Sequence, residues 1–183
     1  MIQIPYSAMV ILISILWVLV RAVVNFKNHS FSIKRELQLM LVYICLVVVV
    51  RFTFCPFGKV DGKIQPLIFD AANAFPPRIN WVPMVNLLDY EVFNEILLNL
   101  IGNTTMFIPI GIVWPGVFKK LNTHGKVIAA GFGFSLCIEI LQLPFYDRVT
   151  DVDDLILNTL GYVVGYGIYI LVKKIGSVVR KAK

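Results

Sequence analysis

Apolar positions along this chain fall in five long runs, at 6–24, 37–54, 96–117, 127–143 and 155–172, separated by polar and charged segments. A bilayer core about 30 Å thick takes about 20 apolar residues per helix. The runs therefore predict an all-α, polytopic helical membrane protein with five transmembrane helices. The first run is expected to be a true span: no Lys or Arg precedes it, and no small-x-small cleavage site follows. The segment 55–95, between spans two and three, is too long for a structureless connection in a compact domain. It mixes aromatic and aliphatic residues with Pro and Asn, and predicts an extracytoplasmic interfacial segment with a short helix or re-entrant piece. Trp81 and Tyr90 suit the headgroup level.

Composition agrees with a lipid solvent. Of 183 residues, 58% are hydrophobic and 15% charged, against about 45–50% and about 25% in soluble domains. Residues 1–183 are expected to form one integral membrane domain. The net charge of +6 does not mark a nucleic-acid binder, because no basic patch is interleaved with aromatics on a soluble fold. The basic residues lie between apolar runs instead, where they set orientation. The loop 21–36, the loop 119–126 and the tail from 173 hold twelve of the seventeen Lys and Arg, and one acid, Glu36. The opposite flanks hold four basic residues and, with Glu139, ten acids. The expectation is an N-terminus outside and a C-terminus in the cytoplasm of a cell-membrane protein, with Arg51 snorkelling near the outer end of span two. The three cysteines have no metal-ligand spacing, and an odd count argues against a disulfide framework. His29 and His124 read as solvated loop residues.

Alternation of the spans decides the depth of the polar residues inside them. Asn99 and Asn103 fall in the outer third of span three, Glu139 and Gln142 in the last turns of span four, and Asn158 in the first turns of span five. All are expected at one level beneath the outer interface. Asn99 and Asn103 share a helix face, as do Glu139 and Gln142. On span five, Asp151, Asp154, Asn158, Gly161 and Gly165 fit an arc of about 80° at about 100° per residue. Gly161 and Gly165 form a GxxxG pattern that admits a close helix neighbour. With Gly102, Gly131 and Ser135 as further small residues, spans four and five are expected to pack tightly, with span three beside them. Glu139 should face protein, since a carboxylate in hydrocarbon is costly, and Arg148 is its nearest cationic partner by sequence. Thr150 is placed to cap span five, with Asp153 completing a capping box.

The stretches NLIGNTTMFIPIG (99–111), IEILQ (138–142) and RVTDVDDLILNTLGYVVG (148–165) resemble the VanZ-like family, with NWVP (80–83) as its Asn-x-x-Pro element. The resemblance covers residues 80–165, a VanZ-like core. Met84 departs from the Phe that commonly follows that Pro, which puts only that element in doubt. The resemblance implies a polytopic cell-envelope protein and reduced susceptibility to lipid-tailed glycopeptide antibiotics such as teicoplanin, without a settled reaction. The polar positions that match are Asn99, Asn103, Glu139, Gln142, Arg148, Asp151, Asp154 and Asn158.

From these residues a site is expected in which Glu139 and Asp154 act as acid or base and Arg148 contacts phosphate or carboxylate. Asn99, Asn103, Gln142, Asp151 and Asn158 would bind the substrate. Three functions stay open: binding or modifying an outer-leaflet lipid headgroup or lipid-linked cell-wall precursor; a non-catalytic change of the outer surface; and transport. Transport ranks last, because nothing polar continues inward past Phe107 and Pro109. Carboxylates and Asn suit hard cations, but a His-ligated zinc site is disfavoured with both His on the inner side. No metal ligand or cofactor is assigned, and the oligomeric state is not specified.

Overall fold

A computed structural model describes residues 1–29, 31–55, 59–60, 63–83, 93–146 and 148–181. Among the described residues, five helices are long and apolar enough to cross a membrane: α1 (Tyr6–Asn28), α2 (Ile33–Phe54), α3 (Phe93–Val117), α4 (His124–Gln142) and α5 (Val152–Lys181). The last continues well past 172, because Lys173, Lys174, Arg180 and Lys181 are good helix formers. Arg180 and Lys181 in the final turn also complement the helix dipole. Short strands fill the connections: β1 (Ile2–Ile4), β2 (Lys59–Val60), β3 (Lys63–Ile64), β4 (Leu67–Phe69), β5 (Ile79–Asn80) and β6 (Thr150–Asp151). The short helix expected within 55–95 is present as one 3-10 turn, Ala71–Ala74, between β4 and β5, whose partners β1 and β6 are distant in sequence. Tyr90 and Met84 lie outside the described residues.

The chain forms two compact units. The first comprises Met1–Pro77 and Pro144–Arg148. β1 pairs antiparallel with β4, matching Ile2 to Phe69 and Ile4 to Leu67. The loop after α4 joins this sheet through Tyr146 N–H to the Ile68 carbonyl (2.9 Å) and Asp70 N–H to the Pro144 carbonyl (2.9 Å). Phe145 sits edge-on to both Phe54 and Phe69, at 5.8 Å. In α1 and α2, Glu36 is ion-paired to Arg21 at 2.5 Å and also accepts from Asn25. This explains the single acid among the basic flanks: it is neutralised by its neighbour. Arg51 donates to the Cys55 carbonyl oxygen (3.3 Å) and lies over the Tyr6 ring. Burial pushes the Cys55 thiol pKa up, against the pull of Arg51 and Arg148.

The second unit comprises Arg78–Leu143 and Val149–Lys183. Its closest helix pair is α3 with α5. A Cβ on Gly161 would fall on the Thr104 carbonyl, and one on Gly165 on the Ile108 carbonyl. A Cβ on Gly111 would strike the Tyr162 carbonyl in return. These contacts ascend both helices together, so α3 and α5 run parallel with their backbones nearly touching. Without a hydrophobic force between helices in lipid, such close approach gives dispersion and Cα–H···O contacts their best distance. The GxxxG pattern, which by itself named no partner, therefore serves span three. Gly102 is corrected: a Cβ there would meet no atom of the described residues within 4 Å. Gly111, one face further along α3, makes the approach. α4 runs antiparallel to α5 on another side, with Ser135 opposite Asn158 and Gly131 beneath the Tyr162 ring. Phe107, Ile110, Val127 and Tyr162 form the centre of this unit, all at 0% exposure. Trp114 joins them, 5.0 Å from Phe134 and 6.1 Å from Tyr162 between ring centroids.

Candidate functional site

The polar residues of the second unit collect at one end of its three helices. Glu139, in the last turn of α4, is 2% exposed. Its Oε2 accepts the Asp151 backbone N–H at 3.2 Å. Its own carbonyl oxygen accepts the Thr150 hydroxyl at 2.9 Å. Asp151 and Asp154 are its charged neighbours. Thr150 is thereby drawn away from the capping role expected of it. Asp151 takes that role instead, its Oδ1 accepting the Asp153 N–H at 2.9 Å, which satisfies one orphan donor of the first turn.

Asp154 accepts a hydrogen bond from Asn103 Nδ2, and the same amide donates to Asn99 Oδ1 at 2.8 Å. Two residues four apart on α3 are thus tied to a carboxylate at the head of α5. One turn deeper, Asn158 is 1% exposed and donates from Nδ2 to Ser135 Oγ at 3.1 Å. Gln142 is buried one turn beyond Glu139 on α4.

Asn80 belongs to the same cluster, although the sequence reading did not place it in the site. Its Nδ2 donates to Asp151 Oδ2 at 3.1 Å, and its Oδ1 accepts the Val82 N–H. The parallel pairing of β5 with β6 sets Ile79 against Thr150 and Asn80 against Asp151. The Asn-x-x-Pro stretch therefore sits against the carboxylates through backbone pairing. The signal available was that stretch itself, which carried the resemblance without stating a contact. Ser135 and Thr150 are two further polar members first read only as a small residue and a cap.

Arg148 falls in the first unit, where its N–H bonds to the Phe145 carbonyl oxygen at 3.2 Å. His124 is not a loop residue: it opens α4, and its Nδ1 lies 3.0 Å from the Tyr166 hydroxyl. Among the described residues, no three His, Cys, Asp or Glu side chains are grouped as a metal would require.

Acidic side chains held by amides and backbone N–H groups, at one end of a helical unit, can accept and deliver protons and can bind polar donors of a ligand. The characteristic sequence pattern of VanZ/LLP1 matches residues 40–173, which include every residue of this cluster. The chain belongs to the VanZ/LLP1 family. Within that family, Protein VanZ of Enterococcus faecium is 30% identical over 112 residues, 61% of this chain and 65% of that relative. The chain thus spans just under two thirds of the relative's length. No solved structure matches the chain significantly. The VanZ/LLP1 match begins inside α2 and ends in α5, a wider stretch than the 80–165 on which the resemblance was read.

Proposed function

We propose that this VanZ/LLP1 protein binds, or chemically modifies, a lipid headgroup or lipid-linked cell-wall precursor at the outer face of the cell membrane, and so lowers susceptibility to lipid-tailed glycopeptides such as teicoplanin. The observation that carries this reading is the gathering of Glu139, Asp151, Asp154, Asn103, Asn99 and Asn80 at one end of one helical unit. Polar contacts between membrane helices contribute only about 0.6 kcal/mol on average, so helix association alone is a weak reason for so many.

The excess of Lys and Arg on the loops 21–36 and 119–126 and on the tail supports an N-terminus outside and a C-terminus in the cytoplasm. That orientation puts the acidic cluster at the outer leaflet, within reach of phosphate-bearing headgroups. Glu139 and Asp154 serve as acid or base, and Asn99, Asn103, Gln142, Asp151 and Asn158 hold the ligand.

Glu139→Gln and Asp154→Asn are each expected to abolish protection against teicoplanin while membrane insertion is unchanged. Full protection by both variants would refute the site. Mass spectrometry of lipids and precursors from cells with and without the protein separates chemistry from binding. A new species is expected if the cluster is catalytic, and an unchanged profile beside intact protection assigns it to binding alone.

A further inference from the structure

The α4–α5 interface carries hydrogen-bonding groups beyond the acidic end. The helices are antiparallel and meet rung by rung: Glu139 neighbours Asp154, Ser135 accepts from Asn158, Gly131 lies under Tyr162, and His124 meets Tyr166. On α5 the members recur every fourth residue, at 154, 158, 162 and 166. α3 adds Asn103 to the first rung and Trp114, edge-on to Tyr162, to the third. Tyr162 and Trp114 thus place hydrogen-bonding atoms deeper than Phe107, where nothing polar was expected from the sequence.

The middle rungs hold polar atoms that the described residues do not satisfy. Asn158 Oδ1, Tyr162 Oη and Trp114 Nε1 are buried with no hydrogen-bond partner among the described residues. Tyr162 is 0% exposed. Buried polar groups of this kind are usually completed by internal water. Four residues of helix rise about 6 Å, a gap that one water closes with two hydrogen bonds of about 2.8 Å. Between Gly131 and His124 the α4 side presents Val127, so there the path depends on Tyr162 and Tyr166 of α5.

We infer that the α4–α5 interface is a hydrated polar seam that conducts protons between the Glu139–Asp154 cluster and His124. Carboxylates stand at one end and an imidazole at the other, the side chains that form proton relays within membranes. Asn158, Ser135 and Tyr162 hold the intervening waters, and Trp114 donates to them. Only O–H and N–H bonds break and form: a proton accepted at one end displaces one at the other, with no change of oxidation state. The charged and titratable groups facing the seam are Glu139 and His124 on α4 and Asp151, Asp154, Tyr162 and Tyr166 on α5. This activity is independent of any lipid chemistry at the acidic end.

The test is proton flux into vesicles of neutral phospholipid containing the full chain and a trapped pH dye, driven by a valinomycin-clamped potassium potential. Flux above that of protein-free vesicles is expected. Tyr162→Phe keeps the ring over Gly131 but removes the hydroxyl, and Asn158→Leu removes the amide at similar volume. Each is expected to lower the flux about tenfold or more, since a hydrogen-bonding station is lost. Leu160→Ala, on the exposed face of α5, leaves it unchanged. All variants are first checked for a monodisperse profile in detergent, and if one fails to fold, the other carries the test. Parent vesicles no leakier than protein-free ones, or folded seam variants conducting like the parent, would overturn the proposal.

Discussion

Glu139 does two jobs that one substitution separates from each other. Its side-chain oxygen receives the Asp151 N–H at the head of α5, and its capacity to take up and release a proton is the part that chemistry would use. Gln retains a side-chain oxygen to accept that N–H, whereas Leu leaves it buried and unpaired. Glu139→Leu is therefore expected to destabilise the protein by about 1–3 kcal/mol, with Glu139→Gln close to the parent in thermal unfolding in detergent. Asp151→Ala removes both the cap on α5 and the acceptor of Asn80, at a cost of about 1–2 kcal/mol from the cap alone. Equal melting temperatures for Asp151→Ala and the parent would show that the cap carries no weight. The acidic residues themselves were legible in the sequence, since carboxylates at the mouth of an apolar run stand out. The division of labour between Thr150 and Asp151 was not. Both are good caps, and only the position of the Glu139 carbonyl decides which hydroxyl or carboxylate is diverted.

Among the helices, α3 and α5 form the pair whose separation is fixed by glycine. The backbone of α3 occupies the space where side chains at Gly161 and Gly165 would lie, so Gly161→Ala is expected to push the helices apart and cost about 1–3 kcal/mol, as overpacking does. Gly102→Ala, with no atom of the described residues within 4 Å of a Cβ there, should leave the melting temperature unchanged or raise it slightly through better helix propensity. Comparable losses from both would mean that the close approach is not what holds the pair. A GxxxG pattern announces a close neighbour but does not name it, because the surface it offers is backbone-smooth and fits any helix. The register with α3 emerges only when Thr104, Ile108 and Gly111 come to meet it. Similarly, the parallel pairing of Ile79–Asn80 with Thr150–Asp151 joins segments about seventy residues apart. No local pattern in a two-residue strand could predict it.

For the molecule as a whole, orientation is the proposal on which the placement of the acidic cluster depends. Single cysteines introduced at Trp81 and Asn122, in a background lacking Cys45, Cys55 and Cys137, should react oppositely with a membrane-impermeant maleimide on intact cells: labelling at 81 and protection at 122. The reverse pattern would turn the cluster toward the cytoplasm and remove the outer-leaflet reading. The sequence by itself determined that five segments are apolar enough to span a bilayer, that basic residues divide their flanks unequally, and which polar residues lie within helical reach of one another. Those properties are set by the transfer of each side chain between water and lipid and by the helix period, both of which act residue by residue. Only the tertiary structure decided that α3 is the glycine-matched partner of α5, that Asn80 reaches Asp151, and that Tyr162 is fully buried with Trp114 edge-on to it. Those outcomes depend on which helix faces meet at what depth, and several pairings of the same faces satisfy the one-dimensional pattern equally well.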